Sequence, residues 1–207
     1  MSVTKTNAEK PEVGRAGILN AAASLFCQHG YGGVSLRAIA EAAGIKAGSI
    51  YYHFASKDAI VTEILDAGIL SVHDEARAAV EALPNDTTPD AIFRAAVRGH
   101  LHALLEHGDY TSANVRIFGQ VPPAVRDANL PVRKAYEKYL DDLLSDLQAT
   151  GAIREGVSLS RLRLLLIGAL NATLEWFDPE QGGAEALADD YADTFLNGIL
   201  NKTGDNT

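Results

Sequence analysis

Between Ser35 and Lys57 the chain reads SLRAIAEAAGIKAGSIYYHFASK, and this stretch leaves few folds open. Leu36, Ile39, Ala40 and Ala43 recur at helical spacing, with Ser35 standing where an N-cap belongs. Gly44 follows the last periodic residue, which suits a left-handed cap and a change of direction. Ile45 then offers an apolar plug for the turn. The pattern predicts a second short helix over Lys46–Phe54, and its outward residues are small, hydroxylated, aromatic or basic: Ala47, Gly48, Ser49, Tyr51, Tyr52 and His53. Two short helices joined this way, with that exposed face, suit entry into a DNA groove. A plain helical corner with packed tyrosines is the simpler alternative.

The flanking segments repeat the helical period. Ile18, Leu19, Ala22, Leu25 and Phe26 share one face of a first helix over Arg15–His29, which a Gly30-Tyr31-Gly32-Gly33 turn ends. Ser56 caps a long helix that carries Ile60, Val61, Ile64, Leu65, Ile69, Leu70 and Val72 to about Ala82. A loop with Pro84 and Pro89 breaks the pattern. Further helices are predicted over Asp90–His107, Asp109–Gln120, Pro123–Thr150, Ser158–Phe177 and Gly183–Asn201. No segment of the second half alternates with period two, so an all-α chain of about nine helices is expected, with three in a front bundle and a larger helical domain behind. The boundaries read as an arm over 1–11, a helix–turn–helix domain over 12–57 and a second domain over 58–207.

Charge separates the same two parts. The net charge of −9 argues at first against nucleic acid, yet the first 60 residues carry +2 and the remainder −11. The basic end is the end with the turn. The first fifteen residues are polar, with no apolar core for a signal peptide, and are expected to be disordered. The dense apolar run Leu164–Leu174 falls short of the roughly 18 residues of a membrane span. One cysteine, Cys27, allows no internal disulfide and reads as a small apolar residue of the first helix. A soluble cytoplasmic chain is the expectation.

The run GILNAAASLFCQHGYGGVSLRAIAEAAGIKAGSIYYHFASKDAI resembles the TetR family of bacterial transcriptional repressors. Phe26, Gly30, Ile39, Ala40, Ala43, Gly44, Tyr51, Phe54 and Lys57 follow the family spacing, without a gap, over about a fifth of the chain. The resemblance implies that Ser35, Lys46, Ser49, Tyr51 and Lys57 hold phosphates, with Tyr52 and His53 near base edges. Hydroxyls and lysines suit phosphate oxygens and set register rather than sequence. Ala47 suits a thymine methyl. Ala47 and Gly48 depart from the family in leaving few donors at the start of the recognition helix. The resemblance also makes the helix begun at Ser56 the mechanical link between ligand and DNA heads.

Between Leu162 and Leu174 the chain is apolar nearly all round, and a helix of that kind must be covered on every side. A homodimer through the last two helices about a two-fold axis meets that demand, and the family resemblance points to the same pair. Burial of both helices in a monomer is the other reading.

A helical domain behind a DNA reader calls for a pocket. The candidate lining is Phe93, Val97, His100, Leu101, Leu104, Ile117, Phe118, Tyr136, Tyr139, Leu140, Leu143, Leu166, Leu170 and Phe177, with Asn114, Asn171 and Glu175 as orienting groups. The segment LNATLEWFDPEQGG resembles the TetR branch that responds to acyl-CoA thioesters, which implies an acyl-CoA or lipid-like acid as effector. Arg94, Arg98 and Arg116 are then the candidate holders of a CoA phosphate. His100, His102 and His107 raise metal sensing, but no cysteine or carboxylate completes a ligand set, so no metal site and no cofactor are expected. The chain carries no nucleophile elbow, phosphate loop or dinucleotide fingerprint, so an enzyme is not expected. A helical protein-interaction adaptor and a metal-responsive regulator are the alternatives to a ligand-released repressor bound to a pseudo-palindromic DNA operator.

Overall fold

The computed structural model describes residues 14–106 and 108–199, except for the side chains of Gln181 and Ile199. The predicted arm over 1–11, His107 and the expected helix end at Asn201 lie outside those residues. Eight α-helices are present among them: α1 (Arg15–His29), α2 (Leu36–Ala42), α3 (Lys57–Glu81), α4 (Pro89–Glu106), α5 (Asp109–Ile117), α6 (Pro123–Ala149), α7 (Leu159–Ala172) and α8 (Ala184–Ile199). Three 3-10 segments, Ala47–Tyr52, Thr173–Glu175 and Pro179–Gln181, complete the helical content, and the described residues form no sheet.

Local chemistry explains the ends. The Ser35 hydroxyl accepts from the Ala38 amide at 3.1 Å, and the Ser56 hydroxyl accepts from Ala59 at 3.1 Å, so α2 and α3 both start on a side-chain cap. Ser158 occupies the cap position of α7 without capping it; its hydroxyl faces that of Ser160 instead. At the end of α2 the Ile45 amide reaches the Ala40 carbonyl and the Gly44 amide reaches Glu41, with Gly44 at φ 71°. That paired closure is the one a left-handed residue after a helix permits. The second helix of the pair corrects the sequence reading: the predicted Lys46–Phe54 helix is a 3-10 turn over Ala47–Tyr52, wound tightly on the fully buried Ile50.

Packing does not respect the expected boundary at residue 57. One cluster joins Ile18, Phe26, Ile39, Ile50 and Ile64 to Ala113, Ile117, Val121 and Val125 of the second part. Each fully buried Phe or Ile of this kind contributes roughly 1.5–3 kcal/mol relative to exposure. The helix α5 therefore serves both parts, packing against α1 and α3. A second cluster binds α4, α6, α7 and α8, and a third sits where Val72 and Ala76 of α3 meet Tyr136 and Leu140 of α6. Cys27 donates its thiol to the Asp109 carbonyl at 3.2 Å, and burial pushes that thiol up to about 11, so it stays protonated.

Candidate nucleic-acid interface and internal cavity

The short turn presents an exposed face. Tyr51 is 62% exposed and Tyr52 88%, Lys46, Ala47 and Gly48 are also open, and Ser49 and His53 are half-buried. Most of the Tyr51 ring surface faces solvent. Ser35 keeps an exposed position while its hydroxyl caps α2.

Lys57 has partners within the head itself. Its ammonium donates to the Tyr31 and Val34 carbonyls at 2.9 and 3.0 Å and lies 3.8 Å over the Tyr31 ring. The Tyr31 hydroxyl in turn donates to Asp58 at 2.6 Å, and burial with that carboxylate raises the phenol to about 12. The resemblance implies a phosphate-holding Lys57. In the fold, the loop after α1 brings two carbonyls to it first. Tyr31 also donates its amide to the Gln120 side chain at 3.0 Å, tying the same loop to the turn after α5.

Behind this head lies a cavity of about 130 Å³ between α3, α4, α5, α6 and α7. Five of the predicted residues line it: His100, Leu104, Asn114, Tyr136 and Asn171. The others are placed elsewhere. Phe93, Val97, Leu101, Leu166 and Leu170 pack in the cluster among α4, α6, α7 and α8, with Phe93 stacked on Phe195 at 5.2 Å. Ile117 belongs to the head's core, and Leu140 and Leu143 pack where α3 meets α6. Tyr139 turns away to donate to the Ala76 carbonyl, Phe118 lies under the Arg133 guanidinium, and Phe177 borders a separate groove beside Trp176. Periodicity finds buried faces; it does not say which buried face borders a void.

The missed lining comes from Gly68, Ile69 and Val72 of α3, Thr111 and Val115 of α5, Arg133 and Glu137 of α6, and Leu164 and Ile167 of α7. A signal for Arg133 existed. It stands three and seven residues before Tyr136 and Leu140, on the stripe that α6 buries. His100 is fully enclosed, with Nδ1 2.6 Å from the Tyr136 hydroxyl. Burial holds it down to about 4, so it is neutral at pH 7; the nearby Asn171 amide opposes this slightly but does not reach hydrogen-bonding geometry with Nε2. Burial likewise pushes the Tyr136 phenol well above its usual range.

The candidate phosphate-holding arginines are occupied. Arg94 pairs with Asp193, Arg98 pairs with Asp189 at 2.7 Å, and Arg116 lies 3.6 Å from Glu175, all outside the cavity lining. His102 sits near Glu75 and Glu106, on a different side of α4 from His100. Among the described residues no three metal-ligating side chains gather.

A capped helix pair with an exposed polar turn, joined by one long helix to a cavity-bearing helical domain, defines a ligand-sensing DNA-binding architecture. The chain belongs to the TetR family of bacterial regulatory proteins: residues 18–64 match that family's DNA-binding model, and residues 86–199 match the tetracyclin repressor-like C-terminal domain. It is 27% identical over 206 residues to the HTH-type transcriptional repressor KstR2 of Mycolicibacterium smegmatis, covering 95% of each chain. It is 25% identical over 196 residues to the fatty acid metabolism regulator protein of Bacillus subtilis, covering 89% of this chain and 95% of that one. Among solved structures it shares the fold of AibR in complex with isovaleryl coenzyme A and operator DNA, with TM-score 0.74 and 22% identity over 90% of this chain and 97% of that chain.

Proposed function

We propose that this protein is a repressor that binds a pseudo-palindromic operator as a homodimer and leaves it when a small hydrophobic acyl effector, an acyl-CoA or lipid-like acid, enters the cavity. The observation that carries the reading is the course of α3. It starts at Lys57 beside the exposed turn, and its Gly68–Val72 stretch lines the cavity, so one rigid helix touches both places. A ligand that favours one placement of α3 shifts the heads by the difference in its affinity for the two placements. The relatives' names, a fatty acid metabolism regulator and a complex with isovaleryl coenzyme A, support the effector class.

Ser35, Lys46, Ser49 and Tyr51 hold phosphates in this reading, while Ala47, Tyr52 and His53 face base edges; Lys57 positions the loop behind them. The second copy covers Leu164 and Leu165, which stand 62% and 63% exposed on α7, and the apolar groove that Leu165 and Ala169 form with Leu187, Tyr191 and Phe195 of α8. No helix among the described residues is long and apolar enough to cross a membrane. The protein works on cytoplasmic DNA and performs no catalysis.

Gel-shift with the DNA upstream of its own gene tests this directly. A shifted band that short- or medium-chain acyl compounds abolish is the expected result. No shift at any salt concentration would remove the repressor reading, and a shift untouched by acyl compounds would remove the effector class.

A further inference from the structure

We propose that the cavity is a carboxylate receptor, in which Arg133 grips the anionic head of a small apolar acid whose body fills the space between α3, α4 and α7. This rests on the cavity being the effector site, and it decides between a free acid and a CoA thioester.

Among the described residues Arg133 has no carboxylate in ion-pair range. Its guanidinium lies 3.7 Å over the Phe118 ring, and Nη2 donates to the Asn114 side chain at 3.0 Å. Its Nε is shut off from water with no partner, and no carboxylate comes within 4 Å of it among the described residues. Glu137, the carboxylate in the lining, is held by Arg163 at 3.2 Å, and Arg163 also binds Asp141 at 2.8 Å. Burial disfavours the charged Arg133, and Glu137 offsets this only in part. A guanidinium does not give up its proton inside a protein, so the missing element is an anion. The planar fork of Arg fits a carboxylate with two parallel N–H···O bonds.

The rest of the lining suits the body and edge of such an acid. Ile69, Val72, Leu104, Val115 and Ile167 are apolar. His100 is neutral, and its Nε2 is the second unpartnered polar atom in this cavity, so it can meet a carboxylate without adding charge. Size keeps a CoA nucleotide out of the cavity itself. A cavity of about 130 Å³ compares with the ~150 Å³ engineered space that takes a benzene ring, and a CoA nucleotide is far larger. Its phosphates would have to stay outside, and a thioester would leave Arg133 unpaired. Asn114 also donates to the Leu65 carbonyl at 2.7 Å, so an anion that draws on Arg133 pulls at α5 and α3 together.

Calorimetric titration of the full chain tests this with hexanoate, benzoate, methyl hexanoate, hexanoyl-CoA and inorganic phosphate, on the native protein and on Arg133→Met and Arg133→Lys. At least one of the two acids should bind, and methyl hexanoate should bind at least about tenfold more weakly than the acid. Arg133→Met should weaken acid binding about 30-fold while leaving the ester unchanged, and Arg133→Lys should restore part of the loss. Without ligand, Arg133→Met removes a charge that lacks a carboxylate but strands the Asn114 side-chain oxygen, so the two effects oppose each other and the variant should stay folded, melting within about ten degrees of the native protein. The proposal is overturned if neither acid binds at millimolar concentration, if ester or phosphate matches the acid, or if Arg133→Met keeps acid affinity. Hexanoate that binds without releasing DNA would leave the carboxylate site standing and remove the effector role. Release by hexanoyl-CoA alone would keep the effector role and remove the carboxylate.

Discussion

Lys57 and Lys46 look alike in sequence and differ in what the fold lets them touch. The ammonium of Lys57 is held by two carbonyls and a ring, while Lys46 is exposed. Lys57→Ala should therefore cost about 1.5–3 kcal/mol of stability, by stranding the carbonyls of Tyr31 and Val34, and leave the salt dependence of DNA binding unchanged. Lys46→Ala should do the opposite, keeping stability and lowering the slope of log K against log salt by about one per protomer. Urea melts and fluorescence anisotropy across a salt series separate the two; a flattened slope in Lys57→Ala would mean that its ammonium leaves the carbonyls for DNA. A second residue-scale prediction concerns acid. His100 titrates near 4 in the fold against 6.5 for an ordinary histidine, so between those values the unfolded chain holds the extra proton. Stability from this group is complete above about pH 6.5 and falls on acidification toward pH 4, by on the order of 3 kcal/mol. His73, also lowered by burial, adds in the same direction. Melts at pH 4.5, 5.5 and 7 should show a shallower loss in His100→Gln than in the native chain.

At the scale of elements, α3 and α4 cross at close quarters where α3 runs toward the cavity. A Cβ on Gly99 would stand 2.4 Å from the Glu75 carbonyl oxygen and 2.6 Å from the Ala76 Cα, so the two backbones touch there. One on Gly68 would stand 2.5 Å from the Tyr110 carbonyl oxygen, where α3 meets α5. Backbone cannot swing aside as a side chain can. Gly99→Ala should destabilise the fold by about 1–3 kcal/mol despite the better helix propensity of alanine, read as a lower denaturation midpoint. A gain in stability would show that the crossing relaxes freely. The eight α-helices were legible because the longer ones repeat their apolar faces, while the short α2 is bracketed by the Ser35 cap and the Gly44 turn. The winding of the Lys46–Phe54 turn was not: its one buried residue, Ile50, sets no repeat from which a 3-10 could be told from an α-helix.

At the scale of the whole molecule, two leucines in solvent on α7 form part of the face that the proposed second copy covers. A charge placed at Leu165 would sit unpaired in the proposed contact, so Leu165→Glu should turn a dimer into a monomer on light scattering. It should also lose affinity for an operator with two half-sites, because the heads no longer arrive together. A variant that stays dimeric would move the interface off α7. The position of Leu164 adds a further consequence: it lines the cavity as well as the exposed face, so dimer contact and cavity shape are mechanically joined.

What the sequence determined alone is local: apolar periodicity set the helices, the Ser35 and Ser56 caps and the Gly44 turn set their ends, and the spacing of the turn marked a DNA reader. The tertiary structure alone decided partners. It gave Lys57 to two carbonyls, gave Arg94 and Arg98 to acids on α8, and gave Arg133 the Asn114 amide and the Phe118 ring but, among the described residues, no carboxylate within 4 Å. Periodicity says which side of a helix is buried, because that depends on neighbours a few residues away. Which atom a buried charge meets depends on helices brought together from far along the chain.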